Sequence, residues 1–246
     1  MSENEDRLVR WHAEHPGAFA RALATSGSYH RLAACVPRDG RVLDLGCGSG
    51  ELLARLGAPA IGCDISPHEL RLAARAGGRV VRARAQALPF ATGAFAAVLS
   101  HLAFSLLDDI ERVVAELARV IARGGAFHAL LGGGPTADGD DAFHRFLAVA
   151  ARAVADAPRF GDPRARSEHG WRALFAASAW DVAPFVRCEY ELTGSCDDVW
   201  RYFAASYIPR ASDVYDAWRT ATRDLVDTHN RVPCRIVCWL GSARRR

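Results

Sequence analysis

Short apolar runs alternate with helical spacing along this chain, and the clearest change of pattern falls at residues 42–56. Residues 42–45 form an apolar run that only Asp44 interrupts. A glycine-rich stretch follows at 46–50, and residues 51–56 then have the apolar spacing of a short helix. The pattern predicts a strand, a tight turn and a helix. At such a junction, glycines without side chains let a ligand approach main-chain N–H groups.

The composition of the turn narrows the choice of ligand. In a dinucleotide-binding G-x-G-x-x-G that begins with Gly46 and Gly48, the third glycine would stand where the chain has Glu51, which disfavours NAD. Asp44 places a carboxylate at the carboxyl end of the strand, where it would repel a pyrophosphate and favour a cation. The chain contains no lysine, so a phosphate loop that ends in Gly-Lys is excluded. These features indicate a nucleoside-containing cofactor that carries positive charge.

A second strand pattern supplies the next anchor for such a cofactor. Residues 60–64 form a short apolar run that ends in Asp64, roughly 20 positions past the glycine turn. Nucleotide-binding βαβ units hold ribose hydroxyls with an acidic residue at this place. Ser66, Pro67 and Glu69 then have the pattern of a capped helix start, with Glu69 completing a capping box.

The order of these segments resembles that of the class I S-adenosylmethionine-dependent methyltransferases, in particular the broad family that methylates small molecules. In this resemblance, residues 44–50 look like the cofactor loop and residues 86–90 like the segment that passes the adenine edge. Residues 95–100 look like strand four, and residues 108–125 like the helix and turn before strand five. The resemblance covers about residues 40–134 and implies S-adenosylmethionine as the cofactor. The cofactor contacts that it implies are Asp44, Gly46, Cys47, Gly48, Gly50, Asp64, Ile65, Gln86, Ala87 and Ser100.

The resemblance also implies a fold of the α/β class. We expect a Rossmann-like, seven-stranded, mostly parallel sheet with helices on both faces, an N-terminal helical lid and a helical insertion between strands six and seven. The patterns place one or two cap helices in residues 1–38 and the methyltransferase domain in residues 39–246. Further helices are predicted at 141–157 and 168–178, strands six and seven at 182–192 and 235–243, and substrate-recognition elements at about 135–175 and 197–228.

Two residues depart from the family pattern. Arg84 stands two positions before Gln86, where the family often has an acidic residue that reads the adenine amino group. Ala96 follows the phenylalanine of strand four, where the family favours an acidic residue. These departures motivate one alternative to the enzyme, a cofactor-binding module without methyl transfer, because a fold alone does not fix function.

Catalysis of methyl transfer rests on aligning the acceptor and excluding water, with a general base where the nucleophile carries a proton. His101 directly follows strand four, and the usual pKa range of histidine suits a base there. His144, near the start of a helix, is the second candidate. Either histidine has a structural alternative, as a hydrogen-bonded loop or helix-start residue. The candidate substrate contacts are Trp11, Tyr29, Phe104, Trp200 and Tyr207.

Composition is consistent with a soluble enzyme, and the expected small organic substrate is implied by the resemblance and the aromatic helical insertion. The chain has 246 residues, 50% of them hydrophobic, which suffices for one α/β domain with a sizeable core. Its net charge of +3 is spread over dispersed arginines, so nucleic acid is permitted without being implied. An RNA methyltransferase therefore remains an alternative. Which atom accepts the methyl group, and the oligomeric state, stay open.

Neither a metal, a disulfide framework nor a membrane segment is predicted. Seven cysteines occur without paired short spacings. Asp138, Asp140, Asp141 and His144 cluster, but the end of strand four offers no carboxylate to complete a metal site, so a metal-free reaction is favoured. The N-terminus is polar and acidic, unlike a signal peptide, and the expected location is the cytoplasm.

Overall fold

The computed structural model describes residues 2–36, 39–57, 59–151, 155, 157–176, 180–207 and 214–246. The described residues form one mixed sheet with helices packed against it. The strands are β1 (Val42–Leu45), β2 (Ala60–Asp64), β3 (Val80–Arg82), β4 (Phe95–His101), β5 (Ile121–Gly134), β6 (Trp180–Val182), β7 (Val186–Glu191) and β8 (Arg235–Arg245).

The strand order confirms the predicted mostly parallel, Rossmann-like sheet. Along the sheet the order is β3-β2-β1-β4-β5-β8-β6, with β7 also paired to β8. Strands β1 to β5 pair in parallel, whereas β8 runs antiparallel to β5. Parallel strands have their carboxyl ends at one edge of the sheet, which is where ligands of open α/β folds bind.

The predicted strand six is divided into two. The sequence pattern predicts one strand over 182–192, but β6 ends at Val182 and β7 begins at Val186. Pro184 lies in the gap and has no main-chain N–H to donate to β8. The N–H of Phe185 instead donates to Glu168 Oε2 at 2.8 Å. Both pieces still pair with β8, which extends to Arg245, two residues beyond its predicted end.

Ten α-helices are described, and their bounds differ from the predictions mainly near the N-terminus. Three helices, not one or two, precede β1, and the breaks fall at Gly17 and Gly27, where φ is +68° and +78°. Parts of the predicted helices at 141–157, 168–178 and 197–228 lie outside the described residues. The helices are α1 (Glu3–Glu14), α2 (Ala18–Leu23), α3 (Ser28–Ala33), α4 (Glu51–Leu56), α5 (Pro67–Arg75), α6 (Ile110–Val120), α7 (Ala142–Val149), α8 (Glu168–Ala176), α9 (Cys196–Ala205) and α10 (Tyr215–Ala221).

Two apolar clusters form the core, one on each face of the sheet. Neighbouring residues of a strand point to opposite faces. Leu43 therefore packs in one cluster with Phe127 and Trp171, while Val42 packs in the other with Leu130. Burial on both faces explains why the parallel strands have nearly continuous apolar runs. Among the described helices, none is long and apolar enough to cross a membrane.

Candidate functional site

A cavity of about 390 Å³ lies at the carboxyl edge of the sheet. The ends of β1, β2, β4 and β5 form its floor, and residues of α1, α2 and α3 cover it from the other side. The cavity is within the range typical of small-molecule sites. The sequence-predicted site residues that line it are Tyr29, Asp44, Gly46, Cys47, Gly48, Asp64, Ile65, Gln86, His101 and Tyr207.

The glycine turn between β1 and α4 is held against β2 and leaves one position open to the cavity. The N–H groups of Gly46 and Cys47 both donate to the carbonyl of Cys63, at 2.8 and 3.1 Å. A Cβ on Gly46 would stand 2.4 Å from that of Ala103, so no side chain fits there. A Cβ on Gly48 would meet only Glu69 Oε2, at 3.7 Å. Gly48 therefore leaves space in which a ligand can reach the main chain.

Asp44 is a buried carboxyl group that lines the cavity. Only 1% of the residue is exposed, and neither carboxylate oxygen has a hydrogen-bond partner among the described residues. Burial, and secondarily the charge of Asp64, raise the pKa of Asp44 to about 8. A cationic group in the cavity would favour the ionised form of this carboxyl. The site is thus suited to a ligand with positive charge beside the end of β1.

Asp64 is fixed by the main chain at the end of β2. Its Oδ2 accepts the N–H of Gly48 at 2.9 Å, and its Oδ1 accepts that of Ser66 at 2.8 Å. Burial raises its pKa, and the two main-chain hydrogen bonds oppose that rise. Each carboxylate oxygen can accept a further hydrogen bond. Asp64 can therefore hold a hydroxyl pair while its orientation stays set by the turn.

His101 lies in the cavity wall, but its surroundings differ from those expected of a general base. Its ring stacks on Tyr29 with centroids 3.9 Å apart, and its Nε2 lies 2.9 Å from Ser28 Oγ. Burial, and secondarily the charge of Arg55, lower the pKa of His101 to about 3. A histidine with so low a pKa is a weak base, so His101 does not have the pKa expected of a general base near neutrality. His101 is neutral at pH 7, and its ring is better suited to forming a hydrogen bond than to accepting a proton from the substrate.

Several polar side chains that are not among the predicted site residues also line the cavity, and they include Glu5, His12 and Glu69. Glu69 Oε1 accepts the N–H of Gly17 at 2.7 Å and lies 3.2 Å from His12 Nδ1. The N–H of Glu69 does bond to Ser66 Oγ, but its carboxylate is directed to the N-terminal segment and does not complete a capping box. This contact joins α5 to the distant N-terminal segment, so the capping pattern around Glu69 does not predict it.

Tyr207 closes the cavity through the same network. Its hydroxyl lies 3.3 Å from His12 Nε2. His12 therefore links Tyr207 to Glu69, with one ring nitrogen beside each of them. Trp11 packs on the ring of Tyr207 with centroids 4.9 Å apart, but Trp11 itself does not line the cavity. Trp11 thus supports a wall residue rather than facing the cavity.

The remaining predicted site residues lie outside the cavity. Phe104 is fully buried against Phe127 and Trp171, on the face of the sheet with the other apolar cluster. Trp200 packs on Tyr215 and Trp218, because α9 turns that side toward α10. Gly50 is the N-cap residue before α4 and has φ of +90°. Ser100 is buried within β4, and Ala87 follows Gln86 away from the cavity.

His144 also lies outside the cavity, and its role there is structural. Its Nδ1 lies 2.8 Å from Asp141 Oδ1 and its Nε2 3.1 Å from the carbonyl of Thr136. Asp141 in turn caps the start of α7. Asp140 pairs with Arg145 through a 2.6 Å contact. In the part of the chain that the structure describes, no three His, Cys, Asp or Glu side chains are grouped as metal ligands.

A segment that contributes to the floor of the cavity matches a known protein family. A family model described as "Methyltransferase domain" matches residues 43–129. The demethylmenaquinone methyltransferase of Thermus thermophilus is 43% identical over 96 residues, which are 35% of this chain and 44% of that protein. The chain thus spans less than half the length of that relative.

A longer match extends the similarity beyond this segment. An uncharacterized methyltransferase of Mycobacterium sp. (strain JLS) is 31% identical over 187 residues, which are 70% of this chain and 73% of that protein. Among solved structures, the YcgJ protein of Bacillus subtilis superposes with a TM-score of 0.60 at 17% identity, and the match covers 89% of this chain and 98% of that one. The structural match shows a shared fold.

Proposed function

This chain belongs to the class I S-adenosylmethionine-dependent methyltransferases, and on that premise we propose that it transfers a methyl group to a small organic molecule. The observation that carries the proposal is the buried carboxyl of Asp44, which has no hydrogen-bond partner in the described ranges and lies at the head of a cavity that continues between aromatic side chains. S-adenosylmethionine supplies a sulfonium methyl that is already activated for in-line displacement. The protein's own contribution is to bind, align and exclude water.

The residues at the strand ends fit this cofactor. Asp44 offers a carboxylate to its positively charged end, and Asp64 retains acceptor sites for ribose hydroxyls. Gln86 is buried, and its Oε1 has no hydrogen-bond partner among the described residues, so it offers an acceptor to a base amino group. Together with the open main chain at Gly48, these groups match a charged nucleoside better than a dinucleotide.

The other part of the cavity supports a compact, apolar or aromatic acceptor. Phe19, Tyr29, Tyr202 and Leu102 line it together with Tyr207. The hydroxyl of Tyr202 donates to the carbonyl of Gly133, which fixes its ring. A wall of rigid aromatic rings excludes water and restricts the acceptor to few orientations, and such alignment can lower a barrier by several kcal/mol.

We assign His101 a positioning role within this proposal. Its ring is uncharged near neutrality and is held between Tyr29 and Ser28. A neutral imidazole in the wall can orient the acceptor by a hydrogen bond without carrying charge into the cavity. Acceptors that ionise unaided, such as acidic phenols and thiols, are therefore better substrates than alcohols.

Calorimetry followed by a turnover assay tests the proposal. The protein should bind S-adenosylmethionine and S-adenosylhomocysteine. In a coupled assay that hydrolyses the demethylated product, it should then methylate members of a panel of phenols, thiols, carboxylic acids and amines. The Asp44→Leu variant, which removes the carboxylate, is the negative control.

Three other outcomes would contradict this proposal. Absence of cofactor binding would mean that the site does not act as assigned. Binding without turnover on any acceptor would favour a cofactor-binding module. Turnover on RNA oligonucleotides alone would identify a nucleic-acid substrate.

A further inference from the structure

We infer that Glu5, on the N-terminal helix α1, recognises the amino group of the cofactor's adenine ring, so that this helix forms part of the cofactor site. The inference rests on the proposed function, since it takes S-adenosylmethionine as the ligand. It assigns a specificity-determining role to a residue outside the segment that matches the family.

Glu5 is a buried carboxylate in the cavity wall. Only 6% of the residue is exposed, and it lines the same cavity as Asp44 and Asp64. Its Oε1 accepts Arg84 Nε at 3.0 Å, and its Oε2 accepts the N–H of Ser2 at 2.9 Å. These two bonds fix the carboxylate and compensate its charge, while its oxygens keep further acceptor positions.

A second acceptor of the cavity lies in the same region. Gln86 is 4% exposed and donates from Nε2 to the carbonyl of Asp108 at 2.6 Å, which leaves its buried Oε1 without a partner in the described chain. The side chain of Asp108 accepts from Ser2 Oγ and, at 3.1 Å, from Asn4 Nδ2. The loop that holds Gln86 is therefore tied to the start of α1, where Glu5 lies.

The surrounding walls suit a flat base. Ile65, Ala85 and Leu107 line the cavity with apolar surface, and Ile65 directly follows Asp64, which is placed to hold a ribose. A planar ring with an exocyclic amino group would offer its two N–H donors to the acceptors of Gln86 and Glu5. A ring with a carbonyl at that position would place an acceptor opposite the oxygens of Gln86 and Glu5. These buried oxygens would then have no donor.

The departure at Arg84 now has a structural explanation. The family often carries an acidic residue at this place, whereas here Arg84 pairs with a carboxylate from α1. The acidic function is thus supplied by a different segment, and Arg84 orients it. Cofactor recognition consequently depends on α1 being docked.

The test compares two cofactor products that differ at the base amino group. Affinities for S-adenosylhomocysteine and S-inosylhomocysteine are measured by calorimetry on the full chain, for the wild type and for Glu5→Gln. Glutamine preserves the size of the side chain and the capping hydrogen bond at Ser2, but its amide can present a donor to the ring. We expect the wild type to prefer the adenine compound and Glu5→Gln to lower that preference by about tenfold.

The control is Glu3→Gln, which removes the same charge from the same helix turn at an exposed position. It should leave the preference unchanged. If Glu5→Gln does not fold, as judged by thermal unfolding, Glu5→Asp retracts the carboxylate by one methylene and gives the same readout. Should both compounds lose affinity equally in the Glu5 variants, or neither lose any, Glu5 does not contact the base and the inference fails. Failure of the wild type to bind either compound would instead overturn the cofactor assignment itself.

Discussion

At the scale of single residues, Asp44 links cofactor binding to protonation. Its pKa of about 8 lies well above the ordinary 3.8 of an aspartate, because the carboxyl is buried beside Asp64. The folded protein thus carries a proton on Asp44 at neutral pH that the unfolded chain has lost. A cationic ligand favours the ionised form, so binding should release this proton.

The first prediction concerns the pH dependence of cofactor affinity. As the pH rises from about 6 to about 8, affinity for S-adenosylmethionine should increase by up to tenfold per pH unit, and the increase should level off above the pKa of Asp44. The Asp44→Asn variant should lose this slope. Calorimetry in buffers of different ionisation enthalpy measures the released proton directly. Equal slopes for both proteins would show that another group titrates.

The second prediction concerns acid stability. The folded pKa of His101 is about 3, below the 6.5 of an unfolded histidine, so between these values only the unfolded chain binds the proton. Stability should therefore fall as the pH decreases from about 6.5 toward 3, by at most about 1.4 kcal/mol per pH unit from this group. Urea unfolding at several pH values should show a smaller slope for His101→Gln. The exposed His169→Gln is the matched control, and an unchanged slope in His101→Gln would contradict the assignment.

At the scale of elements, the glycine turn combines a packing requirement with a binding surface. Gly46 has φ of +73° and its α-carbon faces the methyl group of Ala103, whereas Gly48 has φ of +50° and faces open space. The two glycines adjoin the same cavity but are constrained by different neighbours. Substitution by alanine separates the two roles.

The third prediction compares these alanine variants. Gly46→Ala should lower the free energy of unfolding by about 2 kcal/mol or more, because it adds a steric overlap to an unfavourable φ. Gly48→Ala should cost less stability but weaken cofactor binding by about tenfold or more, because its methyl group occupies ligand space. Chemical unfolding and calorimetry measure the two effects. Adding Ala103→Gly to Gly46→Ala should restore part of the stability, and its failure to do so would place the strain elsewhere.

The N-terminal helices depend on a contact with α5. Glu69 is 3% exposed and joins this helix to Gly17 and His12, and His12 contacts Tyr207. Glu69 is one of several polar contacts that hold the cover of the cavity to the sheet, together with those of Arg84 and Asp108 to α1. The stability of this cover should be separable from that of the core.

The fourth prediction concerns this contact. Glu69→Gln keeps the size of the side chain but replaces the carboxylate that accepts the N–H of Gly17 and lies beside His12. Amide hydrogen exchange in α1 and α2 should accelerate by about tenfold while exchange in β1 and β4 stays unchanged. Mass spectrometry of the exchanged peptides measures both regions. The exposed Glu14→Gln is the control, and uniform acceleration across the chain would indicate global destabilisation instead.

At the scale of the whole molecule, local patterns predict the first two parallel strands of the sheet, whereas β3 has no such signal. Residues 42–45 and 60–64 were recognised because strands buried on both faces need continuous apolar runs, and the turn residues between them are chemically distinctive. The placement of Asp44 and Asp64 at one edge follows from parallel pairing alone. These parts required no knowledge of distant contacts.

The remaining parts depend on contacts between distant segments. The division of the predicted strand at Pro184 depends on where β8 pairs, and the contact of Glu5 with Arg84 depends on how α1 docks. Phe104 and Trp200 are aromatic, as expected of a substrate wall, but Phe104 is buried in the core against Trp171, and Trp200 is partly buried against Trp218. The lowered pKa of His101 arises from burial, which spacing along the chain does not reveal.

The position of β8 has a consequence for biosynthesis. Because β8 lies between β5 on one side and β6 and β7 on the other, β7 cannot join the sheet before residues 235–240 are synthesised, and β6 cannot join before residues 243–245 are. A nascent chain arrested earlier would expose the edge of β5, with its unpaired main-chain groups, to other molecules. Assembly of the sheet on this side therefore waits for β8, which follows β6 and β7 in the chain, and the edge of β5 stays open until β8 pairs with it.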